Sequence, residues 1–489
     1  MSTTSAKVLS TRAAAVAAVA VLALGAAARA ETLADAIALA YQTNPTLLAQ
    51  QAALRGVDET YVQARAGYGP TVTLQASVTT DNTNVPQSLS FGSQLTYETQ
   101  TSNGAIVLSQ PLYTGGRVAR EVDAAQATVM AGREALRATE QTLLQTVIQA
   151  YVAVRHDQRA LAIARDTLGL LERQQAEIDA RYKVGEITRT DVAQTQERVA
   201  VARSLAVAAE VNLEVSRASY LQTVGQLPGT LDPEPPLDKF LPKTFDAADA
   251  AVLAANPQLR QALFTERASA AKVAAAKAQT RPTLSLQGSG GYTGGNLGLH
   301  TPFAQFGYNL TASAVASMPI STAGLTSSLI RQAVETNSVD RIGIETARRQ
   351  ALFNAAQAWR QMSGLLESVT IDQQAVDAAK IAFEGSSQEG KLGLRTTLDV
   401  LIAEQDLYSA EITLADAQRD AYVAEAALLN ATGGLRVEAF APDLARYAPE
   451  RYFDRVSRTP LWSPWEPAVA AFDHLAAPGE APPPPPPKP

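Results

Sequence analysis

The chain has 489 residues, a formal net charge of −7 and no block of basic residues, which argues against a nucleic-acid partner. It contains no cysteine, so disulfides, thiolate metal sites and cysteine nucleophiles are excluded. Its three histidines lie far apart, and no hydrolase or nucleotide-binding motif occurs. We therefore expect no enzymatic activity, no cofactor and no metal site.

Residues 1–30 are typical of a secretory signal peptide. Lys7 and Arg12 precede an apolar run over residues 13–28, and Ala28-Arg29-Ala30 fits a cleavage site. The alternative, a membrane anchor, is disfavoured because this run is short for a bilayer. No later segment has ~20 uninterrupted apolar residues, so the sequence predicts no transmembrane helix.

The rest of the chain consists of two copies of one large unit. The matched positions are Asn44-Pro45 with Asn256-Pro257 and Pro70 with Pro282 at an offset of 212, then Tyr151 with Trp359, Gly185 with Gly393, Asp191 with Asp399 and Gly225 with Gly433 at an offset of 208. The offset changes between residues 70 and 111, within a hairpin region, where loops tolerate differences in length.

Each unit begins with a predicted helix, over about 33–66 and 246–279, which Asn-Pro interrupts. Strands with clean alternation follow. Val72, Leu74, Ala76 and Val78 alternate with polar residues, and so do the residues from Phe306 to Ile320. An apolar face toward lipid and a polar face toward water are typical of transmembrane β-strands. A half-buried strand of a soluble sheet shows the same alternation, but the very long neighbouring helices favour the membrane interpretation.

A long helical hairpin completes each unit. Apolar residues recur every seven positions in the first copy, with one four-residue step: Val122, Val129, Leu136, Leu143, then Val147, Val154, Leu161, Leu168. Heptads predict coiled-coil-like packing, and the extra four residues are a stutter that partly unwinds it. The helix turns back at Val184-Gly185 in the first copy and at Leu392-Gly393 in the second.

The predicted organisation follows from these elements. A signal peptide (1–30) precedes the first repeat (31–225), which has a β-hairpin at about 71–112 and a helical hairpin at about 117–224. A Pro-rich linker (226–245) leads to the second repeat (246–436), which has a β-hairpin at about 283–320 and a helical hairpin at about 325–432. The C-terminal tail (437–489) is Pro-rich and is expected to be disordered at its end. Four strands cannot close a membrane barrel, so membrane strands require oligomers: a dimer gives eight strands and a trimer twelve.

The duplicated plan, the Asn-Pro, the Q-P-L-Y-T-G-G after the second strand and the V-G-x-x-T-x-x-D-V turn resemble the TolC family of outer-membrane channel proteins, over about residues 31–436. The resemblance implies an α+β membrane fold: a homotrimer with a twelve-stranded transmembrane barrel and a periplasmic α-barrel of long helices. It implies a location in the outer membrane of a Gram-negative bacterium, in contact with outer-membrane lipid. The implied partners are a periplasmic adaptor and an inner-membrane ABC transporter or other pump.

The same resemblance implies site residues. Asp399 and Arg395 match the family's gate, Asp191 matches the first-repeat partner, and the turn glycines Gly185 and Gly393 match the adaptor-docking turns. Two positions depart from TolC. Ile402 stands where TolC has a second gate aspartate, and Gly390 stands where TolC has a turn tyrosine.

A simpler explanation exists for the two aspartates. Thr188-x-x-Asp191 and Thr396-x-x-Asp399 both fit a helix capping box. Capping and pore lining are compatible for Asp399, whereas Asp191 is expected to cap or to bind Arg395. The absence of cysteine favours the unlipidated branch of the family, which includes the type I secretion channels. The expected function is a passive exit duct, with type I protein secretion favoured over multidrug efflux. A periplasmic coiled-coil structural protein is the alternative of a different class.

Overall fold

The structure is a computed structural model, and it describes residues 30–85, 95–297, 306–459 and 464–475. Apart from Ala30, the predicted signal peptide lies outside the described residues, and so does the Pro-rich end of the tail. The helices and strands are α1 (Leu33–Thr43), α2 (Pro45–Arg65), β1 (Thr71–Val85), β2 (Leu95–Tyr113), α3 (Arg117–Lys183), α4 (Arg189–Val224), α5 (Phe245–Ala255), α6 (Pro257–Ala278), β3 (Thr283–Leu297), β4 (Gly307–Ser317), α7 (Leu325–Lys391), α8 (Thr397–Ala431), α9 (Val437–Phe440), α10 (Pro449–Ser457) and α11 (Glu466–Leu475).

The same order of elements occurs twice, from α1 to α4 and from α5 to α8. The helices α3 and α7 each have 67 residues. The bounds agree with the predicted ones to within one residue, except at the end of β4. Helix α2 ends at Arg65, before a short 3-10 turn, and β4 ends at Ser317 rather than near residue 320.

The Asn-Pro dipeptides divide the first helices of each repeat. Asn44 ends α1, and its side-chain Oδ1 accepts a hydrogen bond from the backbone N–H of Thr46 at 3.0 Å. Its Nδ2 donates to the Thr223 carbonyl at 3.1 Å, as Asn256 Nδ2 donates to the Ala431 carbonyl at 3.0 Å. Each asparagine therefore joins a helix break to the end of the following helical hairpin in its own repeat.

The four strands form one antiparallel sheet in the order β1-β2-β3-β4, so the hairpins of the two repeats pair through β2 and β3. Directly paired residues share a face. The apolar rows across the sheet are Val72, Leu108, Gly288 and Ala312, then Leu74, Ile106, Gly290 and Leu310, then Ala76, Gly104, Tyr292 and Tyr308. The alternation predicted from the sequence thus extends across all four strands.

By contact density the chain divides into two compact units, and each takes segments from both repeats. One comprises residues 30–49, 138–256 and 350–446. Its core is helical and contains the fully buried Tyr151 and Tyr220 and a cluster around Leu428 and Met362. The predicted heptad positions Val147, Val154 and Leu161 are buried there, which confirms the coiled-coil pattern in this stretch.

The other unit comprises the described parts of residues 50–137, 257–349 and 447–489. It holds the sheet, the neighbouring helix ends and the C-terminal helices α10 and α11. The tail is attached here by side chains to the first repeat: Tyr452 Oη donates to Glu59 at 2.8 Å, and the Trp465 indole donates to Gln110 Oε1 at 3.1 Å. The sequence assigned the tail no such role. No helix in the described ranges is long and apolar enough to cross a membrane.

Candidate functional site: the turns of the helical hairpins

Both helical hairpins turn back through the same backbone geometry. Gly185 and Gly393 have positive φ values of 85° and 75°. The residue after each glycine donates its N–H to a carbonyl five residues earlier, Glu186 to Arg181 at 3.0 Å and Leu394 to Glu389 at 2.9 Å. This is a Schellman motif, in which glycine adopts the left-handed conformation at no steric cost. A Cβ on either glycine would meet no atom within 4 Å, so backbone conformation alone requires glycine here.

The returning helices α4 and α8 both begin with a capping box, which confirms that part of the sequence prediction. Asp191 Oδ2 accepts from the Thr188 N–H at 2.9 Å and from its hydroxyl at 2.7 Å. Asp399 Oδ2 accepts from Thr396 at 3.0 and 2.7 Å. The threonine hydroxyl in turn accepts from the aspartate N–H in both turns.

The caps fix the charge state of both aspartates. The Thr188 and Thr396 hydroxyl and backbone hydrogen bonds lower the pKa of Asp191 and of Asp399 below the ordinary value. Both are therefore ionised at neutral pH. For Asp399 all cap bonds go to Oδ2, and Oδ1 makes no hydrogen bond within the described part of the chain. A capping Asp399 thus keeps one oxygen for another partner.

Arg395 pairs with Glu389 across its own turn, with Nε 2.8 Å from Oε2 and both side chains about half exposed. Within the described residues no hydrogen bond or ion pair joins Arg395 to Asp191. The first turn carries the reverse pair, Arg181 Nε to Glu186 Oε2 at 3.2 Å. Each turn is therefore crossed by one ion pair, and the order of base and acid along the chain is reversed between the repeats.

The two departures from TolC have structural consequences. A Cβ at Gly390 would lie 2.9 Å from Val400 Cγ2, so any larger residue there requires Val400 to shift. Ile402 is 44% exposed. Two residues further on, Glu404 is buried at 3% exposure, although it is charged at neutral pH in water. Sequence reasoning missed Glu404, although its place in the apolar helical spacing of Leu401 and Tyr408 is a signal that could have identified it.

No group of histidine, aspartate and glutamate residues that could hold a metal ion occurs in the parts of the chain that the structure describes.

The family model of the outer membrane efflux proteins matches residues 36–226 and 250–434, well over half of the chain. The chain belongs to this family. An outer membrane efflux protein, BepC of Brucella suis, is 32% identical over 88% of this chain and 92% of its own length. The outer membrane protein TolC of Vibrio cholerae is 26% identical over 84% of this chain and 93% of its own.

The fold agrees with a solved member of this group. The crystal structure of the outer membrane protein VceC from Vibrio cholerae matches with a TM-score of 0.68 at 21% identity, covering 82% of this chain and 96% of that one. Membership in the outer membrane efflux protein family confirms the resemblance to TolC, the TolC-like fold and the outer-membrane location. The roles of the turn residues in gating and docking stay predictions.

Proposed function

We propose that this chain is the outer-membrane exit duct of a tripartite export system, a passive homotrimer without catalytic activity. The observation that carries the proposal is the exposed apolar face of a sheet with two open edges. Leu74 is 80% exposed and Leu310 is 81% exposed on this face. Such a face is unfavourable in water, and unpaired strand edges are unfavourable in lipid. Pooling the sheets of several chains into a closed barrel removes both costs.

The trimer is supported by the number of strands together with the family. Single-chain barrels have at least eight strands, and three copies of this sheet supply twelve. The apolar rows then face outer-membrane lipid and the polar rows face the lumen. The helical part, which contains no membrane-spanning helix in the described ranges, is assigned to the periplasm.

The assembly can be tested directly. We expect the mature protein to fractionate with outer membranes, to migrate as a heat-sensitive trimer and to conduct ions in planar lipid bilayers. A chain that remains in the periplasmic fraction without detergent, and that conducts no ions, would instead support the periplasmic coiled-coil structural protein.

The exposed turns are proposed as the sites of gating and adaptor docking. Val184 and Leu392, beside the turn glycines, are 71% and 76% exposed, which is unusual for apolar residues at both tips of a helical protein. We propose that a periplasmic adaptor covers these residues. An inner-membrane pump bound to the adaptor would supply the energy that a passive duct lacks. An alanine at either turn glycine, in Gly185→Ala or Gly393→Ala, would have to adopt the left-handed backbone conformation. We therefore expect each variant to weaken cross-linking to the adaptor more than it weakens barrel assembly.

Asp399 is proposed to line the gate through its free Oδ1. The matched pair of variants Asp399→Ala and Asp191→Ala removes the same capping contact, so both should lower stability to a similar, small extent. Only Asp399→Ala should weaken block by divalent cations, because three ionised carboxylates around one axis attract cations. If divalent cations block both variants equally, Asp399 only caps the helix and does not line the gate.

Arg395 is proposed to exchange Glu389 for Asp191 when the chains assemble, which would hold the hairpins closed. Arg395→Ser should then raise single-channel conductance, and Asp191→Asn should do the same. Glu389→Gln, which breaks only the observed pair, is the matched control and should leave conductance unchanged. If Glu389→Gln alone raises conductance, the pair within one turn is what holds the gate.

The cargo is proposed to be small molecules, because the family and the Brucella relative are both described as efflux proteins. Deletion of the gene for this chain should then increase susceptibility to several apolar drugs. Loss of a large exported protein from the medium, with drug susceptibility unchanged, would instead support the type I secretion that the sequence favoured.

A further inference from the structure

A buried acidic side chain lies between the two helical hairpins, a short distance along α8 from the capped turn. Glu404 is 3% exposed, and neither of its carboxylate oxygens has a hydrogen-bond partner among the described residues. A buried, unpaired carboxylate is costly when ionised. Glu404 is not among the turn residues that match the gate or the docking turns, and it takes no part in the caps of the two turns.

Glu404 lies on α8 and faces residues of α3 and α4. Its neighbour Leu401 packs in a small apolar cluster with Leu171 of α3 and with Val199 and Ala202 of α4. A cavity of about 20 Å³ lies beside the carboxylate, with room for about one water molecule. Its lining includes Thr167 and Leu171 of α3, Arg198 of α4, and Glu404 and Tyr408 of α8.

The groups that face Glu404 cannot fully neutralise it. On α4, Arg198 is the charged residue of the lining, but its Nε lies 3.6 Å from Glu197, and no ion pair to Glu404 forms. On α3, the lining residues Thr167 and Leu171 are uncharged, and on α8 itself Tyr408 is the other titratable group. Burial raises the pKa of Glu404 to about 7, and the charge of Arg198 opposes this only in part.

We propose that Glu404 is a pH-sensitive contact that holds the second helical hairpin against the first when protonated and loosens it when ionised. This inference rests on the proposed channel function, in which the hairpins separate to open the duct. A protonated carboxyl packs in the apolar contact as a neutral group. Ionisation makes the same position unfavourable unless the hairpins part and water reaches it.

The direction of the pH effect follows from the two states. With the hairpins apart, Glu404 is in water and titrates near its ordinary value of 4.5, whereas in the packed contact its pKa is about 7. Below about pH 4.5 both states are protonated and the contact is at full strength. Between about pH 4.5 and 7 the separated state loses its proton first, so the contact weakens as pH rises, and above about pH 7 the effect is constant.

The experiment measures single-channel open probability in planar bilayers from pH 4.5 to 8 for the wild type, Glu404→Gln and Glu404→Leu. We expect at least about a tenfold rise in open probability for the wild type between pH 4.5 and 7.5, and a flat profile in both variants. Asp406→Asn is the matched control: it removes one negative charge from the same helix at an exposed position, and it should keep the wild-type profile. Arg198→Gln should move the midpoint to higher pH.

A second measurement does not depend on conductance. The chain has no cysteine, so Val184→Cys and Leu392→Cys place one spin label at each hairpin tip. The distance between the labels should lengthen from pH 4.5 to 7.5 in the otherwise unchanged chain and stay constant when Glu404→Gln is added. A wild type that conducts no ions overturns the channel function but leaves this distance test intact. Distances and open probabilities that respond to pH equally with and without Glu404 overturn the inference itself.

Discussion

The strand-to-helix junctions after β2 and after β4 share the sequence Thr-x-Gly, at Thr114 and Thr322, but differ in what covers them. The first junction is buried, and Asp473 of α11 lies against it with no exposed surface. Asp473 accepts hydrogen bonds from the Thr114 N–H at 2.7 Å, the Thr114 hydroxyl at 2.8 Å and the Gly116 N–H at 3.1 Å. A carboxylate from the tail thus caps the N-terminus of α3.

Within the described residues, the second junction makes only local hydrogen bonds. Thr322 Oγ1 accepts from the Thr326 N–H at 3.2 Å, just as Thr114 Oγ1 accepts from Val118 at 3.1 Å. No residue of the tail reaches it among the described residues, and Ser321 to Leu325 are exposed. The duplicated threonine therefore makes the same cap in both repeats, whereas within the described residues the tail contacts only the first junction.

This difference shows how a duplicated sequence acquires two environments. Local interactions, which depend on residues a few positions apart, are copied with the repeat. Interactions with a segment outside the repeat are not copied, so only the repeat that contacts this segment has them. Predictions for Asp473, for the buried Asp58 and for the Gly115 and Ala323 pair test how the two repeats differ, from the largest expected effect to the smallest.

The largest expected effect is that of Asp473→Ala. It leaves the Thr114 and Gly116 N–H groups buried without an acceptor, which we expect to cost about 3–5 kcal/mol. The measurement is chemical unfolding of the detergent-solubilised mature chain, followed by the helical circular dichroism signal. Thr322→Ala at the second junction is the matched control, with an expected loss of about 1 kcal/mol. Equal losses would show that the tail adds nothing to capping.

The first repeat also buries an acidic side chain close to Glu450 of the tail. Asp58 has no exposed surface, and both of its carboxylate oxygens lack a hydrogen-bond partner among the described residues. Burial raises the pKa of Asp58 to about 6, with the charge of Arg133 opposing the shift and those of Glu59 and Glu450 adding to it. The corresponding residue of the second repeat is the exposed Ala270.

Asp58→Asn should therefore stabilise the protein at neutral pH. Since the folded-state pKa is raised, stability is full below the unfolded value of 3.8 and is lost as pH rises through about 6. The variant should gain about 1–3 kcal/mol at pH 7.5 and nothing at pH 4, measured by unfolding at both pH values. Asp454→Asn, at an exposed position of α10, should show no such difference. A gain for Asp58→Asn at pH 4 as well would point to packing rather than to charge.

The sequence predicted what depends on near neighbours in the chain. The capping boxes at Thr188 and Thr396, the turn glycines and the strand alternation all rest on spacings of a few residues, and the structure has them as expected. It did not predict that Glu389 would pair with Arg395 across a turn, because this spacing of six residues is not a helical one.

Contacts between distant segments could not be read from local patterns at all. Asp473 meets Thr114 across more than three hundred residues. Nothing in its own surroundings distinguishes it from an exposed acidic residue of a tail. Glu404 gave a partial signal, since it occupies an apolar position of its helix, but its burial depends on α3 and α4.

The smallest expected effects come from exchanging one residue between the junctions. Gly115 and Ala323 correspond, and both have positive φ, 72° and 48°. Alanine is strained in this conformation by about 1 kcal/mol, so Ala323→Gly should stabilise the exposed junction by roughly 0.5–1 kcal/mol.

Gly115→Ala brings the same strain and, in addition, a Cβ 3.0 Å from the Ala278 carbonyl oxygen and from Arg281 Cβ. At this covered junction the neighbours include backbone that cannot move easily, so we expect a loss of about 1–2 kcal/mol. The pair is measured by the same unfolding experiment as Asp473→Ala. If Gly115→Ala costs no more than Ala323→Gly gains, the difference between the junctions is one of backbone strain. A larger cost for Gly115→Ala means that close packing around the covered junction, and not φ alone, keeps glycine in the first repeat.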